Sequence, residues 1–294
     1  MAGPQRKGWK ARPAACRAAS EGMKKRVLTG IIGLSLLFLV LFFLPAWCLN
    51  IFLALLSALA MYEILQVTHL RGHKGLLLAS LVFSLAAPFL LMWHRPIVVV
   101  FAVVVYAVVL GLIQLHGHES LPVERTGFVF CMTLLVPLAL SCVAYLRADA
   151  VYGRFYVVLV LVLSWLCDIG GYFIGTFFGR HKLCPQISPK KTVEGFVGGL
   201  LLAIGGAVLA AWIYRYFWLE NVTMHYLLVL LLAAICAPLS VLGDLFASII
   251  KRQNGAKDYG HLFPGHGGVM DRFDSLIFVA PVTYLFIQAF PLIR

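Results

Sequence analysis

Between residues 27 and 291 the chain is a succession of apolar runs, most close to 20 residues long, separated by short stretches that hold most of its charge. Wound as helices, such runs match the hydrocarbon core of a bilayer, about 30 Å thick. Inside lipid a backbone satisfies its hydrogen bonds only in helices or closed barrels, and long runs without strict alternation select helices. The composition agrees, at 62% hydrophobic and 12% charged with a mean hydropathy of +0.93, against about 25% charged in an ordinary soluble domain. The expected fold is an all-α polytopic membrane protein, one bundle rather than two soluble domains.

About nine transmembrane helices are expected, at 27–44, 47–66, 75–93, 97–115, 127–146, 155–179, 193–217, 226–249 and 273–291. Only Pro45 and a few neighbours separate the first two, so one long tilted span is the alternative. Two spans are preferred, because the combined run is about twice the length a bilayer needs. The chain divides into a basic N-terminal extension (1–22) expected to be disordered, N-terminal transmembrane helices (23–150) and a C-terminal catalytic transmembrane region (151–294).

With the N-terminus in the cytoplasm, nine spans put the loops near 67–74, 116–126, 180–192 and 250–272 inside. Of the 24 Lys and Arg residues, 19 then lie inside, and only Arg95, Arg147, Arg154, Arg215 and Arg294 outside. This asymmetry obeys the positive-inside rule. The net charge of +12 does not read as nucleic-acid binding, because the basic residues are dispersed among short loops. Anionic headgroups and nucleoside triphosphates suit such loops better. The seven cysteines form no CxxC pair or metal-ligand spacing, so neither a disulfide nor zinc is expected.

Residues 1–22 are rich in Ala, Arg and Lys with one acid, Glu21. They read as a disordered tail, an organelle transit segment, or translation from a start upstream of Met23. No cleavable signal peptide is evident, since the first apolar run is long and lacks a small-residue cleavage site.

Chemistry concentrates between residues 248 and 275, where Ser-Ile-Ile-Lys-Arg-Gln-Asn-Gly-Ala-Lys-Asp-Tyr-Gly-His-Leu-Phe-Pro-Gly-His-Gly-Gly-Val-Met-Asp-Arg-Phe-Asp-Ser gathers cations, carboxylates and glycines between two apolar runs. Lys251, Arg252 and Lys257 can face phosphates, and Gly265, Gly267 and Gly268 let backbone approach a ligand closely. Asp271 and Asp274 lie one turn apart at the expected start of the last helix, where carboxylates serve the helix dipole or a cation between them. Asp274 could also be a cap or the partner of Arg272. Hard oxygen ligands beside basic groups suggest metal-assisted work on a nucleotide or phosphate. His266 could bind phosphate, donate a proton or serve structure.

Within the spans, an ionisable side chain is a functional candidate by default. Asp168 is followed by Tyr172, Gly175 and Gly179 at helical spacing, a face able to pack closely or line a cavity. Asp244, Ser248 and Lys251 share one helix face, as a site or as a structural Asp–Lys pair. Ser188 and Pro189 suit the cap and first turn of a helix, which would bring Lys190 and Lys191 to a phosphate-binding N-terminus unless they only fix topology or touch headgroups. Glu63, near the end of the second helix, is open between a helix-end residue and a buried partner. No P-loop, His-Glu-x-x-His or Gly-x-Ser-x-Gly occurs.

The pattern Ser-x-x-Lys-Arg, Lys-Asp, Pro-Gly-His-Gly-Gly, Asp-Arg-x-Asp over 248–274 resembles the signature of the phosphatidate cytidylyltransferases, the CDP-diacylglycerol synthases. Ser188-Pro-Lys-Lys-Thr-Val-Glu-Gly195 resembles a second motif of that family, and Met23-Lys-Lys-Arg-Val-Leu-Thr-Gly looks like the opening of a bacterial member. The resemblance implies transfer of CMP from CTP to phosphatidic acid, giving CDP-diacylglycerol and pyrophosphate at the cytoplasmic side of a bacterial inner membrane. It implies Mg²⁺ held by Asp271 and Asp244 with help from Asp274 and Asp168, with a second, monovalent cation such as K⁺ also compatible. Lys251 joins these acids in catalysis, while Lys190, Lys191, Ser248, Arg252, Lys257, Asp258, Gly265, His266, Gly267, Gly268 and Arg272 would hold the nucleotide. A glycine-rich helix could support a homodimer, though the apolar stripes do not identify which. Two rivals share parts of this pattern. A CTP-dependent polyprenol kinase-like enzyme would release CDP, and an ion-coupled transporter would use Asp168 and Asp244 as ion sites.

Overall fold

The computed structural model describes residues 33, 35–90, 95–218, 222–260, 262 and 267–293. Residues 35–42 are helical. They precede α1 (Ala46–Val67), α2 (Lys74–Leu90), α3 (Pro96–His116), α4 (Val123–Ala148) and α5 (Gly153–Phe178). A two-stranded antiparallel hairpin follows, β1 (Lys182–Cys184) and β2 (Ser188–Thr192), then α6 (Val193–Trp218), α7 (Tyr226–Gln253), the one-turn α8 (Met270–Phe273) and α9 (Leu276–Ala289).

Six of the described helices, α1 and α3 to α7, are long and apolar enough to cross a membrane, which corrects the expectation of nine. The 17 residues of α2 and 14 of α9 rise only about 26 and 21 Å, short of a hydrocarbon core of about 30 Å. The run expected at 273–291 breaks at Asp274 and Ser275, where the Asp274 carboxylate takes the Ser275 N–H instead of leaving that polar pair inside one long helix. The start of the first expected span, and the end of the third, lie outside the described residues, as does the extension at 1–22.

The loop read as leading into a helix at Ser188 is instead the hairpin. Cys184 pairs with Ser188 around a turn at 185–187, so Pro189 and Lys190 are in a strand. The capping role passes to Thr192, whose Oγ1 accepts the Gly195 N–H at 3.1 Å. Glu194 completes the corner by accepting the N–H groups of Arg180 and His181 at 3.1 and 3.2 Å.

The tightest helix pairing is α5 against α6, built on small residues that let backbones approach. A Cβ at Gly199 would lie 2.5 Å from the Cys167 carbonyl oxygen, and one at Gly170 would lie 2.9 Å from the Gly199 Cα. The main apolar core joins both halves of the chain, from Leu49, Met61 and Ile64 to Val160, Ile250 and Ile277. At one end of the bundle Met224 bridges Ile293 and the Tyr214 hydroxyl donates to the Val151 carbonyl. At the other end the hairpin, the C-terminal turns of α1, α5 and α7, and α8 converge.

Candidate active site

Two polar centres occupy that convergent end. The first is an open cavity of ≈ 230 Å³ between α5, α7 and the hairpin, into which Asp168, Asp244, Lys190 and Lys191 project beside Ser188 and Tyr172. Asp168 and Tyr172 reach it because they lie one turn apart on α5, while Gly171 and Gly175 face α6. β2 delivers Lys191 across the cavity, and its ammonium stands 2.7 Å from Asp244 Oδ2. Ser248, one turn beyond Asp244 on α7, donates to Asp244 Oδ1 at 3.3 Å. These side chains are 21% and 28% exposed for Lys191 and Asp244, although the Lys191 ammonium nitrogen itself is covered.

Asp274 belongs to the same field of charge. It is buried, and the charges of Asp244 and then Asp168 act on it. Its neighbour Ser275 donates from Oγ to Asp168 Oδ2 at 2.8 Å, linking the bend before α9 to α5. Three carboxylates thus share a region of low dielectric, a donor set whose chemistry suits a hard divalent cation. Among the described residues, however, no group of three or more acidic, His or Cys side chains is drawn together tightly enough to hold an ion. Asp244 is instead engaged by Lys191.

The second centre is closed. Lys251 donates to Asp271 Oδ1 at 2.7 Å with side chains only 10% and 6% exposed. The other oxygen, Oδ2, accepts the N–H groups of Tyr259 at 2.8 Å and Gly268 at 3.0 Å. Gly267 turns the chain with φ +83°, and a Cβ there would stand 2.8 Å from Asp271 Oδ2. Tyr259 lies under Lys251, its ring centroid 5.3 Å from Nζ, and its hydroxyl donates to the Ala247 carbonyl at 3.0 Å. Burial, with the Asp271 charge, pushes the Tyr259 phenol well up, so it stays a donor at any ordinary pH.

The structure therefore separates residues that looked like one group. Asp168, Asp244, Lys190, Lys191 and Ser188 line the cavity, with Ser248 bonded to Asp244 and Asp274 close in charge, while Asp271, Lys251, Gly267 and Gly268 form the buried pair and its wrapping. Arg252 ties the two, donating to Ile187 O at 3.4 Å in the hairpin turn and to Ala256 O at 3.3 Å. Lys257, Asp258 and Arg272 are exposed. Gly265 and His266 lie outside the described residues.

Four residues had escaped selection as site candidates. Thr192 and Glu194 shape the hairpin corner, Tyr259 supports Lys251, and Glu63 is a buried partner of the 269–270 backbone. A lone acid in an apolar helix and a lone aromatic in a glycine-rich loop were their sequence signals.

Residues 24–290 match the model described as the cytidylyltransferase family. The phosphatidate cytidylyltransferase of Bacillus subtilis (strain 168) is 31% identical over 277 residues, covering 91% of this chain and 98% of the relative. Those of Staphylococcus haemolyticus (strain JCSC1435) and Staphylococcus aureus (strain COL) are each 32% identical, covering 88% and 91% of this chain and 97% and 100% of theirs.

Proposed function

The chain belongs to the phosphatidate cytidylyltransferase family, and from that premise we propose that the cavity between α5, α7 and the hairpin is where it transfers CMP from CTP to phosphatidic acid. The observation that carries this reading is the joining of opposite charges in one cavity. Lys190 and Lys191 supply cations for a triphosphate, and Asp168 and Asp244 supply carboxylates for a cation that accompanies it. Beside them Tyr172, Phe173 and Phe177 expose aromatic surface outward, a side wall suited to acyl chains.

A phosphate oxygen of phosphatidic acid attacks the α-phosphorus of CTP. The new P–O bond forms as the bond from the α-phosphorus to the bridging oxygen of the β-phosphate breaks, and pyrophosphate leaves with that electron pair. The attacking phosphate is already anionic, so no strong general base is needed, and positioning with charge neutralisation supplies most of the rate. Lys191 exchanges Asp244 for a phosphate oxygen as the nucleotide enters, and Lys190 holds the same phosphates from the exposed side of the strand. Ser248 keeps Asp244 aimed into the cavity, and Ser275 does the same for Asp168. Asp244, with Asp168 and Asp274, would hold Mg²⁺, which when bound neutralises the triphosphate. Asp271 holds Lys251 and the signature turn. Nothing among the described residues distinguishes a site for a monovalent cation.

The cavity end carries eleven of the fifteen Lys and Arg residues in the described part of the chain, at 71, 74, 125, 180, 182, 190, 191, 251, 252, 257 and 272. That bias supports a cytoplasmic orientation in a bacterial inner membrane. The test is pyrophosphate release by the purified full chain in detergent. Release requiring CTP, phosphatidic acid and Mg²⁺ together, and reduced roughly 100- to 1000-fold by Asp244→Asn, supports the reading. Release without phosphatidic acid, or undiminished in Asp244→Asn, contradicts it.

A further inference from the structure

We propose that Glu63 is a positioning residue for this transfer, acting from α1 on the backbone that carries Asp271 and Asp274; the inference rests on the function proposed above. Glu63 is 6% exposed and lies near the end of an apolar span. Its carboxylate accepts the Val269 N–H at 3.0 Å and the Met270 N–H at 2.9 Å, contacts spanning more than 200 residues of sequence. The fit leaves no spare room. A Cβ at Gly260 would stand 2.8 Å from the Glu63 carboxyl carbon, and one at Gly268 2.5 Å.

Asp271 grips the same strip of backbone from the other side, through the N–H groups of Gly268 and Tyr259. Three successive N–H groups, of residues 268, 269 and 270, are thus divided between two carboxylates. They are committed to shaping the turn and point at carboxylates, so the glycines here admit Glu63 and Asp271 rather than a phosphate. Four residues beyond Met270 stands Asp274, and Ser275 then reaches Asp168. A shift of the turn would travel through α8 to the carboxylates of the cavity. Burying a carboxylate is costly unless its hydrogen bonds are made, and a buried N–H left without an acceptor is costly too. Glu63 and the turn therefore hold one another in a single arrangement.

The experiment compares wild type, Glu63→Gln, Glu63→Ala, Gly268→Ala and Glu63→Ala/Gly268→Ala, all as full chains in detergent, reading kcat and KM for CTP per folded molecule. Glu63→Gln keeps the volume but turns an amide N–H toward one of the two backbone N–H groups. We expect kcat to fall about 100-fold, the effect of an ångström-scale misplacement, with KM for CTP little changed because Lys190 and Lys191 do not touch this turn. Gly268→Ala should cost much less in the Glu63→Ala background than in wild type, since the methyl then enters vacated space. Should Glu63→Gln fail to fold, Glu63→Asp, which keeps the charge one methylene short, should show the same split. Wild-type kcat per folded molecule in Glu63→Gln, or in Glu63→Asp where that substitutes for it, would overturn the proposal, as would an equal penalty for Gly268→Ala in both backgrounds. Failure of wild type itself to release pyrophosphate would instead count against the proposed function.

Discussion

Lys191, on a β-strand outside the bundle, places its ammonium 2.7 Å from the carboxylate of Asp244 on a spanning helix. A cation supplied by the protein therefore already sits where the nucleotide and its metal are expected to bring their charges. Lys191→Ala should raise KM for CTP about tenfold or more, the loss of one charge-assisted bond of roughly 1.5–3 kcal/mol. Stability should change little, because the pair is partly exposed. Equal KM values for the variant and wild type, measured by pyrophosphate release, would leave Lys191 with a topological role only.

The buried pair makes the opposite prediction. Asp271→Asn leaves the Lys251 ammonium nearly enclosed without its counter-charge, at a cost of about 3–5 kcal/mol. The melting temperature in detergent should drop clearly, and Lys251→Met/Asp271→Asn should recover most of it. A single variant as stable as wild type would mean that Lys251 finds another partner in the loop.

Helix approach can be tested with two glycines of α6. Gly199→Ala drives a methyl to 2.5 Å from the Cys167 carbonyl oxygen, which belongs to backbone and cannot swing aside, whereas a Cβ at Gly205 meets nothing within 4 Å. Gly199→Ala should lower the yield of folded protein sharply. Gly205→Ala should be neutral or more stable by up to about 1 kcal/mol, since alanine is the better helix former. Similar melting temperatures for the two would refute the close pairing of α5 and α6.

Sidedness follows from the two ends of the bundle. In right-side-out cells, a cysteine replacing Lys257 should resist a membrane-impermeant thiol reagent and one replacing Val222 should react, against a background lacking the native cysteines. The reverse pattern would place the cavity outside, away from cytoplasmic CTP.

Much of this was legible in the apolar runs, because hydropathy reports where a helix can lie in lipid. It does not report where a helix ends against its neighbours. The last run continues in sequence through Asp274 and Ser275, yet their side chains bond to backbone and to Asp168, so α9 starts late and is short. The hairpin was missed because Ser188-Pro189 carries a helix-start signal, while the groups that settle the matter, Thr192 and Glu194, act through contacts with Gly195, Arg180 and His181. The site was legible as a set of residues and illegible as a set of pairs. Spacing put Asp244, Ser248 and Lys251 on one face, but Lys251 turns to Asp271 and Asp244 to Lys191, choices made by chain segments distant in sequence. Glu63 shows the same limit at its greatest separation.

If the proposed transfer is right, the phosphorus that moves is the α-phosphorus of CTP, and Asp244 is required to move it. The direct measurement incubates wild-type and Asp244→Asn proteins, matched for folded content, with phosphatidic acid, Mg²⁺ and CTP labelled at either the α- or the γ-phosphate, then counts the lipid phase. Wild type should put α-label in the lipid and γ-label in aqueous pyrophosphate, with lipid labelling nearly abolished in Asp244→Asn. Label from the γ-phosphate in the lipid, or undiminished α-label in Asp244→Asn, would contradict it.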